Sequence, residues 1–426
     1  MNRFFLIVIV CVVNTIVGQE AFHVAISAQH NEKAHILLAL IGKKSSSLDE
    51  VSQLLKKALE FKDQCTVSVS YIPSMMTKQE ALAHKTSGYN YILFLENEPT
   101  SFAWHLFDID EGQMKKNTRV QKDPSSVRAS SYALADSIWH AMTGESAFFS
   151  SKIAYTKEIP AKKGLHYAHV YIADYDGSNA QPIVVTPTIN VAPRWNKDLN
   201  RPLLFYSENT NSNMRMMAVD MHKKRVVASN FDGLNMLPTF SCDGAAVVYC
   251  ATRGSGSCQL YHWAHKKLKK LTNNDGNNFA PVFSEDGTMI FFSSDFETGK
   301  PQIFSLHLKS NELSRLTKDG YCVSPSYCAV RNKLAYAKLI NGVMQLFIYD
   351  LQSKQHKQIT FDAAQKEECA WSNCGNFLLC PVDDGKKSRV AYFNVNTNEY
   401  KFITGHTERC SNPSLSCIYN SYPALS

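Results

Sequence analysis

Apolar and polar positions alternate with a period of two along most of the chain after residue 152, in short runs rich in β-branched and aromatic residues. Such alternation predicts strands, because successive side chains of a strand point to opposite faces. Between about 35 and 144 the pattern mixes two periods. HILLALIG at 35–42 reads as a strand, and Ser47-Leu48-Asp49-Glu50 reads as a capping box opening a helix with Val51, Leu54, Leu55, Ala58 and Leu59 on one face. CTVSVSYI, YNYILFLE, AWHLFDID and NTRVQ continue as strands, with a short helix near 78–84. Asp123-Pro124 opens a last helix, Val127, Leu134, Ile138 and Met142 line one face of it, and Gly144 is placed to end it. These elements predict a small α/β domain ahead of an all-β region.

The all-β region repeats itself. MLPTFSCDGAAVVYCA at 236–251 and FAPVFSEDGTMIFFSS at 279–294 are nearly the same phrase, and VAPRWNKDLNRPLLFYSE, VSPSYCAVRNKLAYAK and ECAWSNCGNFLLCPV are further versions of it. The markers Pro193, Pro238, Pro281, Pro325, Cys369 and Pro413 step by 45, 43, 44, 44 and 44 residues. After each of the first five comes an aromatic (Trp195, Phe240, Phe283, Tyr327, Trp371), a turn and further β-rich runs, with Leu-Thr or Ile-Thr endings at Thr272, Thr317, Thr360 and Thr404. Four short strands in about 44 residues is the unit of a β-propeller blade. A blade has two apolar faces and buries them only against neighbouring blades, so the units are expected to close into a ring. Pro413 opens a first strand with nothing after it, while 152–155, 169–177 and 181–185 have the character of second, third and fourth strands. The expected fold is a small α/β N-terminal domain followed by a six-bladed β-propeller, the last blade closed by N- and C-terminal strands. Its expected segments are a signal peptide at 1–18, a flexible arm at 19–33, the α/β domain at 34–146 and the propeller at 147–426.

The leader reading rests on Arg3 ahead of the apolar run FFLIVIVCVVNTIV, followed by Gly18 and polar Gln19 and Glu20. The run is short for a membrane span, Asn14 and Thr15 interrupt it, and no later segment is apolar enough to cross a bilayer. Hydrophobic residues at 44% and charged residues at 19% exclude a mainly disordered chain. The net charge of +7 is scattered, HKKLKK at 265–270 being the one dense run, which reads as a solvated strand and argues against nucleic-acid binding. Of twelve cysteines, eleven remain once Cys11 leaves with the leader. Most sit where a small apolar residue suits a strand, so buried thiols are the expectation, with Cys322 and Cys328, and Cys410 and Cys417, the pairs close in sequence.

The parts of familiar catalytic sites are missing from the sequence. Gly254-Ser255-Gly256-Ser257-Cys258 has the wrong order for a nucleophile elbow, and His30 and His35 miss the zinc-protease spacing by one. Gly42-Lys43-Lys44-Ser45 lacks the first glycine of a phosphate loop, and no paired histidine or CxxC spacing marks a metal site. The expectation is a chain with no catalytic residues, no metal and no cofactor. The alternative is an exported β-propeller hydrolase or lyase acting on glycan or ester substrates, since residues from several blades can converge on a channel without a local motif.

The segment ALADSIWHAMTGESAFFSSKIAYTKE, followed by HVYIADYDGSNAQPI, closely resembles the domain junction of the TolB family, the periplasmic component of the Tol-Pal system of Gram-negative bacteria. Asp136, Thr143-Gly144-Glu145, Phe149, Lys152, Ile153-Ala154-Tyr155 and Asp174-Tyr175-Asp176-Gly177 carry the resemblance, and SSDFETGKPQIF at 293–304 is similar to the family's third-blade hairpin. The family's Ser-Pro-Asp-Gly turn is replaced here by SCDG, SEDG, CAVRN and SNCG. The resemblance implies a non-catalytic, monomeric periplasmic scaffold that supports outer-membrane integrity and envelope constriction at division. It implies a Pal-like lipoprotein bound at the propeller mouth by Leu234, Asn235, Leu237, Asn277, Asn278 and Phe279. It also implies a TolA-like inner-membrane protein bound by the N-terminal arm through Ala21, Phe22, His23, Val24 and Ile26.

Overall fold

A computed structural model describes residues 33–124, 126–160, 166–210, 212–254 and 256–417. The leader and nearly all of the arm, with Ala21, Phe22, His23, Val24 and Ile26, lie outside the described residues.

The N-terminal unit contains β1 (Ala34–Ile41), α1 (Ser46–Leu59), β2 (Cys65–Ile72), α2 (Lys78–Ala83), β3 (Tyr91–Asn97), β4 (Ser101–Asp108), β5 (Gln113–Gln121) and α3 (Val127–Thr143). Its sheet runs β2-β1-β3-β4-β5, with β1 parallel to β2 and β3 and the later pairs antiparallel. Both faces of β1 are covered, which is why it reads as an unbroken apolar run. Ile36, Leu38 and Leu40 pack in the cluster with α1 and α3, whereas Leu37 and Ala39 pack in a second cluster with Ala81 and Leu82 of α2. The start of α1 differs from expectation: the N-cap is Ser45, whose side chain accepts from Leu48 N, not Ser47. A full capping box instead joins Thr77 and Glu80 at α2. The N-cap of α3 is Ser126, and Gly144 ends that helix at φ +72°, a conformation open to glycine at little cost.

The β region begins with β6 (Lys152–Pro160), β7 (His166–Asp174) and β8 (Gln181–Val184), then β9 (Ile189–Trp195), β10 (Leu203–Asn209), β11 (Met214–Asp220) and β12 (Arg225–Ser229). Two four-stranded sheets follow, β13 (Asn235–Phe240) to β16 (Lys267–Lys270) and β17 (Asn278–Phe283) to β20 (Leu313–Arg315). Between the first pair of termini lie β14 (Ala246–Ala251) and β15 (Gln259–Ala264), and between the second β18 (Met289–Ser294) and β19 (Gln302–His307). Two more sheets comprise β21 (Cys322–Cys328), β22 (Lys333–Ile340), β23 (Val343–Asp350) and β24 (His356–Gln358), then β25 (Ala370–Trp371), β26 (Phe377–Asp383), β27 (Ser388–Asn394) and β28 (Tyr400–Phe402). The last strand, β29 (Cys410–Leu415), pairs antiparallel with β6. A single parallel bridge, Ala168 to Ile189, joins β7 to β9 and so links the strands on either side of it into one larger sheet. None of the sheets closes on itself.

The repeated residues have repeated jobs. The threonine after each fourth strand accepts a backbone N–H from the third: Leu260 N to Thr272 at 2.9 Å, Ile303 N to Thr317 at 2.8 Å, Leu346 N to Thr360 at 2.8 Å and Val390 N to Thr404 at 2.9 Å. The aromatic after the marker reaches the preceding unit, as Phe240 does to Phe205 with ring centroids 4.8 Å apart and Tyr327 to Phe291 at 5.6 Å. The HKKLKK run forms a hairpin turn, His265 and Lys266 both at positive φ, and the exposed part of β16.

One apolar cluster crosses from the α/β unit into the β region. Phe148 stands at its centre, its ring 6.0 Å from Phe61, 5.7 Å from Phe377 and 5.4 Å from Tyr392. Polar contacts flank it, Lys57 to Asp176 at 2.5 Å and Asn376 to Glu145 at 3.1 Å. The described cysteines are free thiols, and all except Cys242 and Cys417 are buried. Cys322 and Cys328 stand at opposite ends of β21, which as an extended strand holds them far beyond disulfide reach.

Candidate functional site

The chain around every marker repeats one backbone irregularity. The residue just before the marker is left-handed in all six: Ala192 at φ +53°, Leu237 at +53°, Ala280 at +50°, Ser324 at +57°, Glu368 at +54° and Asn412 at +49°. Side chains with a Cβ adopt this region at a cost of about 1–3 kcal/mol. The ladder slips at the same place in the β9, β13, β17, β21 and β29 pairings, so the extra residue is a bulge. These bulges border a cavity of about 490 Å³, lined among others by Arg194, Leu237, Ala280, Glu285, Tyr327 and Glu368.

Two residues upstream of each left-handed position is a fully buried one: Asn190, Asn235, Asn278, Cys322, Lys366 and Cys410. Asn235 Oδ1 accepts from Ser229 Oγ at 2.8 Å and Phe231 N at 3.0 Å, and its Nδ2 donates to Met214 O at 3.0 Å and Phe231 O at 2.6 Å. Asn278 Nδ2 donates to Asn274 Oδ1 at 2.9 Å and Gly276 O at 3.1 Å, while its Oδ1 accepts from Ser294 Oγ at 2.9 Å. Lys366 takes over this task in the fifth unit, reaching Asp362 Oδ1 at 2.6 Å and Ala364 O at 2.5 Å. Asn235 and Asn278 therefore shape the loops before β13 and β17 with amides already engaged inside the protein. This departs from the expectation of both as contact residues, and the reason is the hydrogen-bonding demand of the loop carbonyls they close.

The other expected mouth residues are placed differently. Leu234 is 39% exposed. Asn277 is exposed, its backbone N–H donating to Asp295 Oδ1 at 2.7 Å and its Oδ1 accepting from Cys258 N at 3.1 Å. Phe279 is half-buried against Val323, Ala337 and Met344 of the next unit. Leu237 is 7% exposed and lines the cavity. Leu234 and Asn277 thus present surface on the loops before β13 and β17, Phe279 packs on the next unit, and Leu237 alone of the six lines the cavity.

A charged group at the bulges went unnoticed in the sequence. Arg194 Nη2 is 2.9 Å from Glu368 Oε2, and Asn412 Nδ2 donates to the same oxygen at 3.0 Å, so three marker strands far apart in the chain meet on one carboxylate. Beside it, burial and then the charge of Glu368 raise the Glu367 carboxyl above the usual glutamate range. The available signal was the column of residues before the markers, which holds Glu368 and Asn412 in phase with Ala192 and Leu237. Among the described residues no group of three or more His, Cys, Asp or Glu is arranged to hold a metal. No described helix is long and apolar enough to cross a membrane.

Residues 139–338 match the family model described as TolB beta propeller domain. The Tol-Pal system protein TolB of Gluconobacter oxydans (strain 621H) is 29% identical over 156 residues, covering 36% of this chain and 33% of that protein. The Tol-Pal system protein TolB of Methylococcus capsulatus is 24% identical over 199 residues, covering 46% of each. These matches span between a third and a half of the relatives' own length. The crystal structure of TolB from Acinetobacter baumannii superposes with a TM-score of 0.75 at 19% identity, over 90% of this chain and 97% of that one. The chain thus resembles TolB in sequence over the matched stretches and in fold over most of its length, an α/β domain joined to a β-propeller region.

Proposed function

We propose that this chain is a non-catalytic, exported scaffold of a Tol-Pal-type system, acting in the periplasm of a Gram-negative cell. In this reading it is a six-bladed ring, with β29 beside β6 as its seam. A Pal-like lipoprotein docks at the entrance, on Leu234, Asn277 and Phe279, over loops held in shape by Asn235 and Asn278 and a wall that includes Leu237. A TolA-like protein binds the arm at Ala21, Phe22, His23, Val24 and Ile26, and the assembly supports outer-membrane integrity and envelope constriction. The observation that carries the reading is the naming of both curated relatives as Tol-Pal system protein TolB. In support, the loops before β13 and β17 offer exposed Leu234 and Asn277 beside half-buried Phe279, the mix of apolar and polar surface suited to gripping a protein.

The test is capture of partners from detergent-solubilised envelopes of the source cells by the full chain, by Asn277→Ala/Phe279→Ala and by a variant lacking 19–31. The expected result is loss of a Pal-like lipoprotein in the first variant and of a TolA-like protein in the second. Capture of neither by the unaltered chain would overturn the scaffold reading.

A further inference from the structure

In the fifth unit the marker proline is replaced by Cys369, and there the innermost strand β25 has 2 residues, where β9 and β21 have 7 and β13, β17 and β29 have 6. The register pairs Ala370 with Leu379 and Trp371 with Leu378, which places Cys369 opposite Cys380 of β26. Both are buried in one apolar cluster. A second pair has the same character. Cys250 on β14 lies opposite Leu260, so Cys258, two residues back, is its diagonal neighbour on the same side of the hairpin, buried in the same apolar cluster.

We propose that Cys369 with Cys380, and Cys250 with Cys258, are disulfide sites that close while the chain folds in an oxidising compartment. The compartment rests on the exported reading above; the pairing rests on geometry alone. Cys369 and Cys380 are directly opposed, and opposed residues of an antiparallel pair have Cβ atoms about 4.5–5.5 Å apart, close to what a disulfide spans; Cys250 and Cys258 are diagonal neighbours, a wider separation that the hairpin closes by a small shift. The first link would hold β25 to β26 where the ladder is shortest.

The chemistry is thiol–disulfide exchange with a low-molecular-weight or protein disulfide as oxidant. One thiolate attacks the reagent, releasing one thiol; its partner thiolate displaces the second. An S–S bond forms in the protein, the reagent S–S bond breaks, and the two protons and two electrons end on two reagent thiols. Burial pushes the Cys369 thiol well above its usual range, and interaction with Cys258 followed by burial does the same for Cys250, so little thiolate exists once the units have packed. Exchange therefore belongs to folding.

The test refolds the full, reduced chain in a mixture of oxidised and reduced glutathione, alkylates it under denaturing conditions and maps its peptides. The expected result is linkage of 369 to 380 and of 250 to 258, with folded reduced protein in the same buffer reacting at least tenfold more slowly. Cys380→Ser should leave Cys369 alkylated, and a reductant should accelerate its unfolding less than that of the unaltered chain, the 250–258 link alone remaining to be reduced. Alkylation of all four residues after oxidative refolding, or their linkage to other cysteines, overturns the proposal. Protein taken from the source envelope with thiols trapped at lysis should carry the same links. Free thiols there, beside links in the refolded chain, support the pairing and count against export.

Discussion

Asn278→Ala separates a loop-shaping role from a contact role. The substitution leaves Ser294 Oγ without the acceptor it meets at 2.9 Å, and Ser294 is fully buried. A buried hydroxyl so orphaned costs about 1–3 kcal/mol. Asn274 and the Gly276 carbonyl lose their partners too, but both are half-exposed and regain water, for about 0.5 kcal/mol each. The sum is about 2–4 kcal/mol, a fall in Tm of roughly 5–15 °C for a unit of this size. Asn277→Ala keeps the backbone bond to Asp295 but takes the side-chain acceptor from Cys258 N at a partly buried site, and should cost about 1 kcal/mol. Thermal and urea unfolding followed by circular dichroism would compare the two, with partner capture measured at a temperature where both are folded. Asn278→Ala within about 0.5 kcal/mol of the unaltered chain would refute the buried-network reasoning.

Phe148→Ala removes a fully buried ring shared by the two units and should cost about 3–5 kcal/mol, splitting calorimetric unfolding into two transitions; one undiminished transition would count against the shared core. Asp136 accepts from Phe149 N at 2.8 Å and Ser150 N at 3.0 Å, yet burial raises its carboxyl to about 6. Its folded value lies above the unfolded one of about 4, so its contribution is fully present below pH 4 and lost as pH rises through 6, a change on the order of 2–3 kcal/mol. Asp136→Asn should flatten that slope, and parallel stability profiles between pH 4 and 7 would sink the assignment. Gly177→Ala would set a Cβ 2.0 Å from the Ile403 carbonyl oxygen at a backbone φ of +81° and should cost about 3 kcal/mol or more, read as a lowered Tm; an unchanged Tm would show that this contact can open freely.

Local rules served well where one interaction decides. The Thr272, Thr317, Thr360 and Thr404 endings are legible because each does the same job in four successive units. Gly144 at the end of α3 was likewise legible from its neighbours in the chain. Ser47 was misread as the start of α1 because several serines precede the apolar face, and only backbone direction chooses Ser45 among them.

What the sequence by itself determined is the 44-residue period, the α/β segment ahead of it and the residues that each repeat buries, because these follow from side-chain alternation and turn chemistry. Tertiary structure decided the rest. It sent the Asn235 and Asn278 amides inward and left Asn277 at the surface, a difference set by which loop carbonyls need a donor. It also brought Arg194, Glu368 and Asn412 onto one carboxylate and Cys369 against Cys380. Such meetings depend on how whole sheets are placed and in what register, and a period read along the chain carries no information about either.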